Sequence, residues 1–162
     1  MAGNRNRARR AFSLIELVVV VVIIGIIAAI AIPKMSRGAA GAAESAVSGD
    51  LTLLRQAVDM YQSEHGGAYP DTANIVAQLT QFSNSDGSST SSTKNTTTGI
   101  IYGPYLRAIP NLPVGPATLK GTAAIGASST ATNAWFYDNT TGSVTVNPAS
   151  GNDSNGTAFS SY

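Results

Sequence analysis

The chain has no cysteine, one histidine and one tryptophan, and only 12% of its 162 residues are charged. Each shortage excludes something. Without cysteine there is no disulfide framework and no thiolate metal site. His65 alone, with scattered carboxylates, gives no nucleophile paired with its base and no general-acid pair, so no enzyme is expected. Nine Asp and Glu are too few and too dispersed for a nuclease-type metal cluster. Basic charge is also scarce where it would matter. Arg5, Arg7, Arg9 and Arg10 crowd the first ten residues, leaving Lys34, Arg37, Arg55, Lys94, Arg107 and Lys120 against all nine acids from Phe12 onward. No basic surface follows, and no nucleic-acid partner is expected.

What the chain does have is one long apolar run. Phe12 to Pro33 reads FSLIELVVVVVIIGIIAAIAIP, with Leu17 to Ile32 free of any charged or hydrogen-bonding side chain. As a helix, Phe12–Ile32 spans roughly 31 Å, the thickness of a bilayer's hydrocarbon core. The four preceding arginines place the N-terminus in the cytoplasm and the rest of the chain outside. One charge interrupts the pattern, Glu16. An ionised group in a membrane span costs about 2.5–3.5 kcal/mol near the helix centre and less near an end, so Glu16 requires a cationic partner. None lies within the span. A free α-amine would serve if a cut before Phe12 released one, and a neighbouring copy shifted by about one turn would bring it into reach.

These residues resemble a known family. A short basic leader, then FSLIEL and a Val/Ile/Ala run closing in proline, is similar to the class III signal of type IV prepilins and type II secretion pseudopilins. The resemblance implies cleavage between Ala11 and Phe12 by a prepilin peptidase, N-methylation of Phe12, and a subunit-docking role for Glu16. Ala11 stands where the family usually has glycine. Two plainer readings fit less well. An ordinary secretory signal has a shorter apolar core and no Glu16, and Pro33 sits badly beside a cut after Ala31. A simple anchor for a monomeric periplasmic binding domain leaves Glu16 without a purpose.

Pro33 predicts a kink or local melting around Ile32 and Pro33. Further on, Val47, Leu51, Leu54, Val58 and Tyr61 recur at helical spacing, the apolar stripe of an amphipathic stem helix. Gly66 and Gly67 end it. His65, one residue earlier, reads as a C-terminal residue favoured by the helix dipole rather than as a ligand. The phrase around Tyr61, Gly67, Tyr69 and Pro70 is similar to a segment of the major pseudopilins. So are Gly103-Pro104-Tyr105-Leu106 and the ending that runs from Trp135 to Val144.

Residues 72–82 suggest a short second helix capped by Asp71 or Thr72. Ser83 to Gly99 lacks any apolar side chain, which predicts a mobile surface loop open to O-glycosylation. Tyr102, Tyr105, Leu106 and Ile109 are candidate core residues. A hairpin is expected with strands at 134–138 and 143–147, and a polar tail from Pro148. Asn152-Asp153-Ser154-Asn155-Gly156 resembles a fragment of a calcium loop but lacks the closing glutamate. No cofactor is expected, and calcium is the one metal left open.

The expected fold is α+β and pilin-like: a long N-terminal helix, transmembrane in its first half and amphipathic in its second, bearing a small head. The head contains a short helix and an antiparallel hairpin. The divisions are a cleaved leader (1–11), a membrane and filament-core helix (12–33), a stem helix (34–65) and a head (66–162) with its loop at 83–99. Leu51, Leu54, Val58, Tyr61, Tyr69, Tyr105 and Trp135 are the expected head core. The resemblance implies a structural subunit of a type II secretion pseudopilus that polymerises through its N-terminal helix. Absence of cysteine favours that over a type IV pilus pilin for adhesion, motility or DNA uptake. Implied partners are further copies in a helical filament, other pseudopilins, the prepilin peptidase, an inner-membrane assembly platform and lipid. The implied location is the bacterial inner membrane, then a periplasmic filament, or the cell surface for a pilus.

Overall fold

The structure, a computed structural model, describes residues 12–128 and 132–162. The chain divides into two compact units, one ending at Ala39 and the other starting at Ala40. Helix α1, Leu14–Glu64, contributes to both. In the first unit the large apolar side chains of Phe12 and of the helix as far as Met35 are all exposed. A helix apolar around its whole circumference has no water-stable partner of its own, and this one is long and apolar enough to cross a membrane. The helix is unbroken at Pro33, so the local melting expected there is not found. Proline removes a single amide donor, and the flanking turns keep their own bonds.

In the second unit α1 becomes one-sided. Val47, Leu51, Leu54, Ala57, Val58 and Tyr61 are buried. The helix stops where glycine permits: Gly66 has φ +64°, and the Gly67 amide donates back to the Gln62 carbonyl at 2.9 Å, a Schellman closure. Helix α2, Ile75–Thr80, follows, three residues shorter at its start than the sequence suggests. Asp71 does not cap it. Its carboxylate instead accepts from Asn74 Nδ2 at 2.8 Å, and its amide donates to Gln78 Oε1 at 2.7 Å, which holds residues 71–74 in a turn.

The segment expected as a structureless loop is structured. Strand β1, Phe82–Ser83, pairs antiparallel with β2, Thr90–Ser91. Between them the Asn84 side-chain oxygen accepts from the Ser89 amide and Asp86 accepts from the Ser88 amide. Gln78 Nε2 donates to the Gly87 carbonyl at 2.9 Å. Gly87 has φ +71°, and a Cβ there would run into the Tyr61 hydroxyl. A segment without apolar side chains is fixed here by hydrogen bonds between its own side chains and backbone.

A three-stranded sheet completes the unit. Strands β4, Trp135–Asp138, and β5, Ser143–Val146, form the expected antiparallel hairpin, with Trp135 opposite Val146 and Tyr137 opposite Val144. Strand β3, Ile125–Gly126, joins β4 in parallel, a pairing that no local pattern announces. Trp135, Tyr137, Val144 and Val146 are fully buried, and with Leu112, Leu119 and Ile125 they meet the α1 stripe in one core.

Candidate functional site

The N-terminal site begins just before the first helical turn. Ala11 lies outside the described residues. Phe12 is 79% exposed and precedes the helix with Ser13. The Ser13 amide donates to Glu16 Oε2 at 2.9 Å, and the Leu17 amide donates to the Ser13 carbonyl at 3.3 Å. Ser13-x-x-Glu16 is half of a capping box, in which the third helical residue reaches back to satisfy an amide that has no partner in the helix. Sequence reasoning missed it, although the S-x-x-E spacing is its signal. Phe12, Ile15, Glu16, Val19 and Val20 border one shallow apolar face. Glu16 is thus a carboxylate at the positive end of the helix, held within a turn of Phe12. That arrangement can accept an amide proton from its own chain or an ammonium group brought to the same place.

The head-core residues fall at the junction of the stem with the sheet. Leu51, Leu54, Val58, Tyr61 and Trp135 are buried, while Tyr69 and Tyr105 are partly buried against them. Trp135 Nε1 donates to the Pro110 carbonyl and the Tyr137 hydroxyl to the Pro70 carbonyl, each at 2.9 Å. Tyr69 packs against the hairpin turn, where its ring and a φ of +71° leave no room for a Cβ at Gly142. The Tyr105 hydroxyl donates to Glu64 Oε2 at 2.6 Å. Burial first, and then that hydrogen bond, push the Tyr105 phenol up from its ordinary value. Leu106 and Ile109 are buried, and Tyr102 is half-buried.

His65 does more than complement the helix dipole. It is buried and stacks on Tyr61 with ring centroids 3.7 Å apart. Nδ1 is 2.9 Å from the Tyr61 carbonyl, which can only accept, so Nδ1 carries the proton. Nε2 lies 3.0 Å from Ser83 Oγ. A serine beside an imidazole is the connectivity of a hydrolytic pair, but Ser83 is wholly buried and a backbone carbonyl stands where an orienting carboxylate would be. The pair fastens β1 to the end of α1.

The tail is also fastened. Asp153 Oδ1 accepts from the amides of Asn155 and Thr157, and Oδ2 accepts from the Tyr162 hydroxyl at 2.8 Å. These bonds, the Tyr162 hydroxyl foremost, hold the Asp153 carboxyl below its ordinary value. Glu44 accepts from the Ser154 amide and hydroxyl. Arg55 donates to the Val144 carbonyl at 3.1 Å and to the Tyr162 backbone oxygen at 2.7 Å. Its partners are backbone atoms, which is why no sequence pattern points to it. Among the described residues, no group of three or more His, Cys, Asp or Glu gathers as a metal centre would require, and the Asp153 oxygens already have donors.

Residues 6–32 match the family model of the prokaryotic N-terminal methylation motif. No curated protein and no solved structure matches the chain. The matched stretch holds the end of the basic leader, Phe12, the Ser13–Glu16 cap and the apolar part of the helix to Ile32, so the chain carries a prokaryotic N-terminal methylation motif.

Proposed function

We propose that the protein is a structural subunit of a type II secretion pseudopilus, held in the inner membrane by residues 12–33 and polymerised through that helix into a periplasmic filament. One observation carries the reading: an ionisable Glu16, capping Ser13, is the one charge in helix residues 14–32, the part of α1 within the matched motif. In the membrane-held subunit the carboxylate satisfies its own chain's amide. Cleavage before Phe12 would create an ammonium group one residue from Ser13. A docking subunit could then exchange that local bond for the amine of its neighbour, neutralising both charges away from water. The absence of cysteine and the Tyr61–Pro70, Gly103–Leu106 and Trp135–Val144 phrases support a pseudopilus over a surface pilus. The assembly platform, the prepilin peptidase and companion pseudopilins are the partners this requires.

The test is intact-mass and N-terminal analysis of the protein from native membranes, beside a Glu16→Ala variant scored for filaments. A chain beginning at N-methylated Phe12, with filaments lost in the variant, is the expected result. A chain that keeps its leader, with Glu16→Ala silent, refutes the reading and leaves an anchored monomeric domain. Deleting the protein then separates the two filament types: loss of exported proteins from the medium marks a pseudopilus, and loss of surface fibres with export intact marks a pilus.

A further inference from the structure

Among the described residues no lysine or arginine is paired with an Asp or Glu carboxylate. Arg55 is engaged by backbone oxygens, and Lys34, Arg37, Lys94, Arg107 and Lys120 are exposed. Glu44 and Glu64 have hydrogen-bond partners, whereas Asp50 and Asp59 have none. Asp50 differs from Asp59 in being half-buried, and burial raises its carboxyl above the ordinary value. A partly desolvated carboxylate without a donor is unfavourable in the single chain.

Asp50 also sits beside an exposed apolar strip. On the second unit's part of α1, Ala46, Leu53 and Met60 recur every seven residues, with Ala42 one turn before them and Gly49 between the first two, and all five are exposed. Leu53 and Met60 are about half exposed, large side chains on a helix whose opposite edge is polar: Ser45, Ser48, Thr52 and Asp59. The strip adjoins the buried face through Asp50 and has small residues where another helix could approach closely. Along α1 the free cations, Lys34 and Arg37, precede the free acids, so parallel copies offset along the helix axis place cations of one beside acids of the other.

We propose that Ala42, Ala46, Gly49, Leu53 and Met60, with Asp50 at their edge, form a second subunit interface that receives helix α1 of another copy, whose Lys34 or Arg37 neutralises Asp50. This rests on the filament reading above and adds to it a contact outside the membrane span. The occupant is a second copy because helix α1 carries both unpaired acids, Asp50 and Asp59, and two of the exposed cations, Lys34 and Arg37, so the same helix supplies both halves of the pairing.

The experiment compares filament yield from cells expressing the full chain as wild type, Asp50→Lys, Leu53→Asp, and Asp50→Lys combined with Lys34→Glu and Arg37→Glu. Ser48→Lys, which adds a cation on the far side of the helix, is the control. Protease resistance of the head in the membrane pool reports folding. Asp50→Lys and Leu53→Asp are expected to lower yield by more than about tenfold with the head intact. The combined variant is expected to recover to within about twofold of wild type, and Ser48→Lys to stay there. Wild-type yield in both single variants, while Glu16→Ala abolishes filaments, overturns this interface and leaves the filament reading standing. Loss without recovery in the combined variant overturns the assignment of Lys34 and Arg37. Absence of filaments from the wild type removes both readings together.

Discussion

Helix α1 is one continuous helix with two different faces to the world. Up to Ala39 its apolar residues are exposed all round, and the polar contact fixed there is the Ser13–Glu16 cap. From Ala40 the same helix buries one stripe against a sheet and a set of hydrogen-bonded turns. The difference teaches where each half gets its stability. The first half can be stable only in a solvent that welcomes apolar surface on every side, lipid or a bundle of like helices. The second half folds because it has its own core. The two should therefore fail separately.

The largest separation is expected from Trp135→Ala. Truncating this fully buried ring and its bond to Pro110 should cost about 3–5 kcal/mol, read as a lower urea midpoint for the full chain in detergent, with membrane association unchanged. The converse is Ile24→Arg. A charge near the middle of the span should cost about 2.5–3.5 kcal/mol of insertion, read as loss of the carbonate-resistant membrane fraction, without a change in the head's protease resistance. Either variant disturbing both readouts would break the comparison.

A smaller effect sharpens it within the head. Ser83→Ala strips His65 Nε2 of its partner in a buried site and should cost about 1–3 kcal/mol. Restoring stability with an added His65→Phe would show that the pair is a fastener. Smallest is the acid response of the tail. The folded Asp153 carboxyl lies below its unfolded value, so its contribution is present above the unfolded value, about 3.9, and is lost as pH falls through the folded one. Amide exchange in residues 153–162 should quicken there before exchange in β4 and β5 does.

The long elements were legible because they repeat. The span announces itself by sixteen apolar residues, the stem by its stripe, and the hairpin by Trp135 to Val144 around an Asn-Thr-Thr-Gly turn. What escaped was held by hydrogen bonds rather than by apolar burial. Ser83 to Gly99 looked shapeless because pattern reading counts apolar side chains, whereas Asn84, Asp86 and Gln78 fix that segment by bonding backbone. The parallel strand at Ile125 and the burial of Leu112 and Leu119 depend on contacts distant in sequence. At the N-terminus the reverse occurred. Glu16 was singled out for its charge, yet the capping role it plays within its own chain followed from Ser13, three residues before it.

The tail clasp brings a last consequence. Glu44, Arg55, Asp153 and Tyr162 tie the tail to the stem through charge-assisted hydrogen bonds, without a disulfide. A head built so is indifferent to reductant, and bonds made at contact distance and partly buried are weakened little by ionic strength. In the proposed filament salt then acts mainly on the contacts between copies, so ionic strength becomes a control over assembly that does not pass through unfolding.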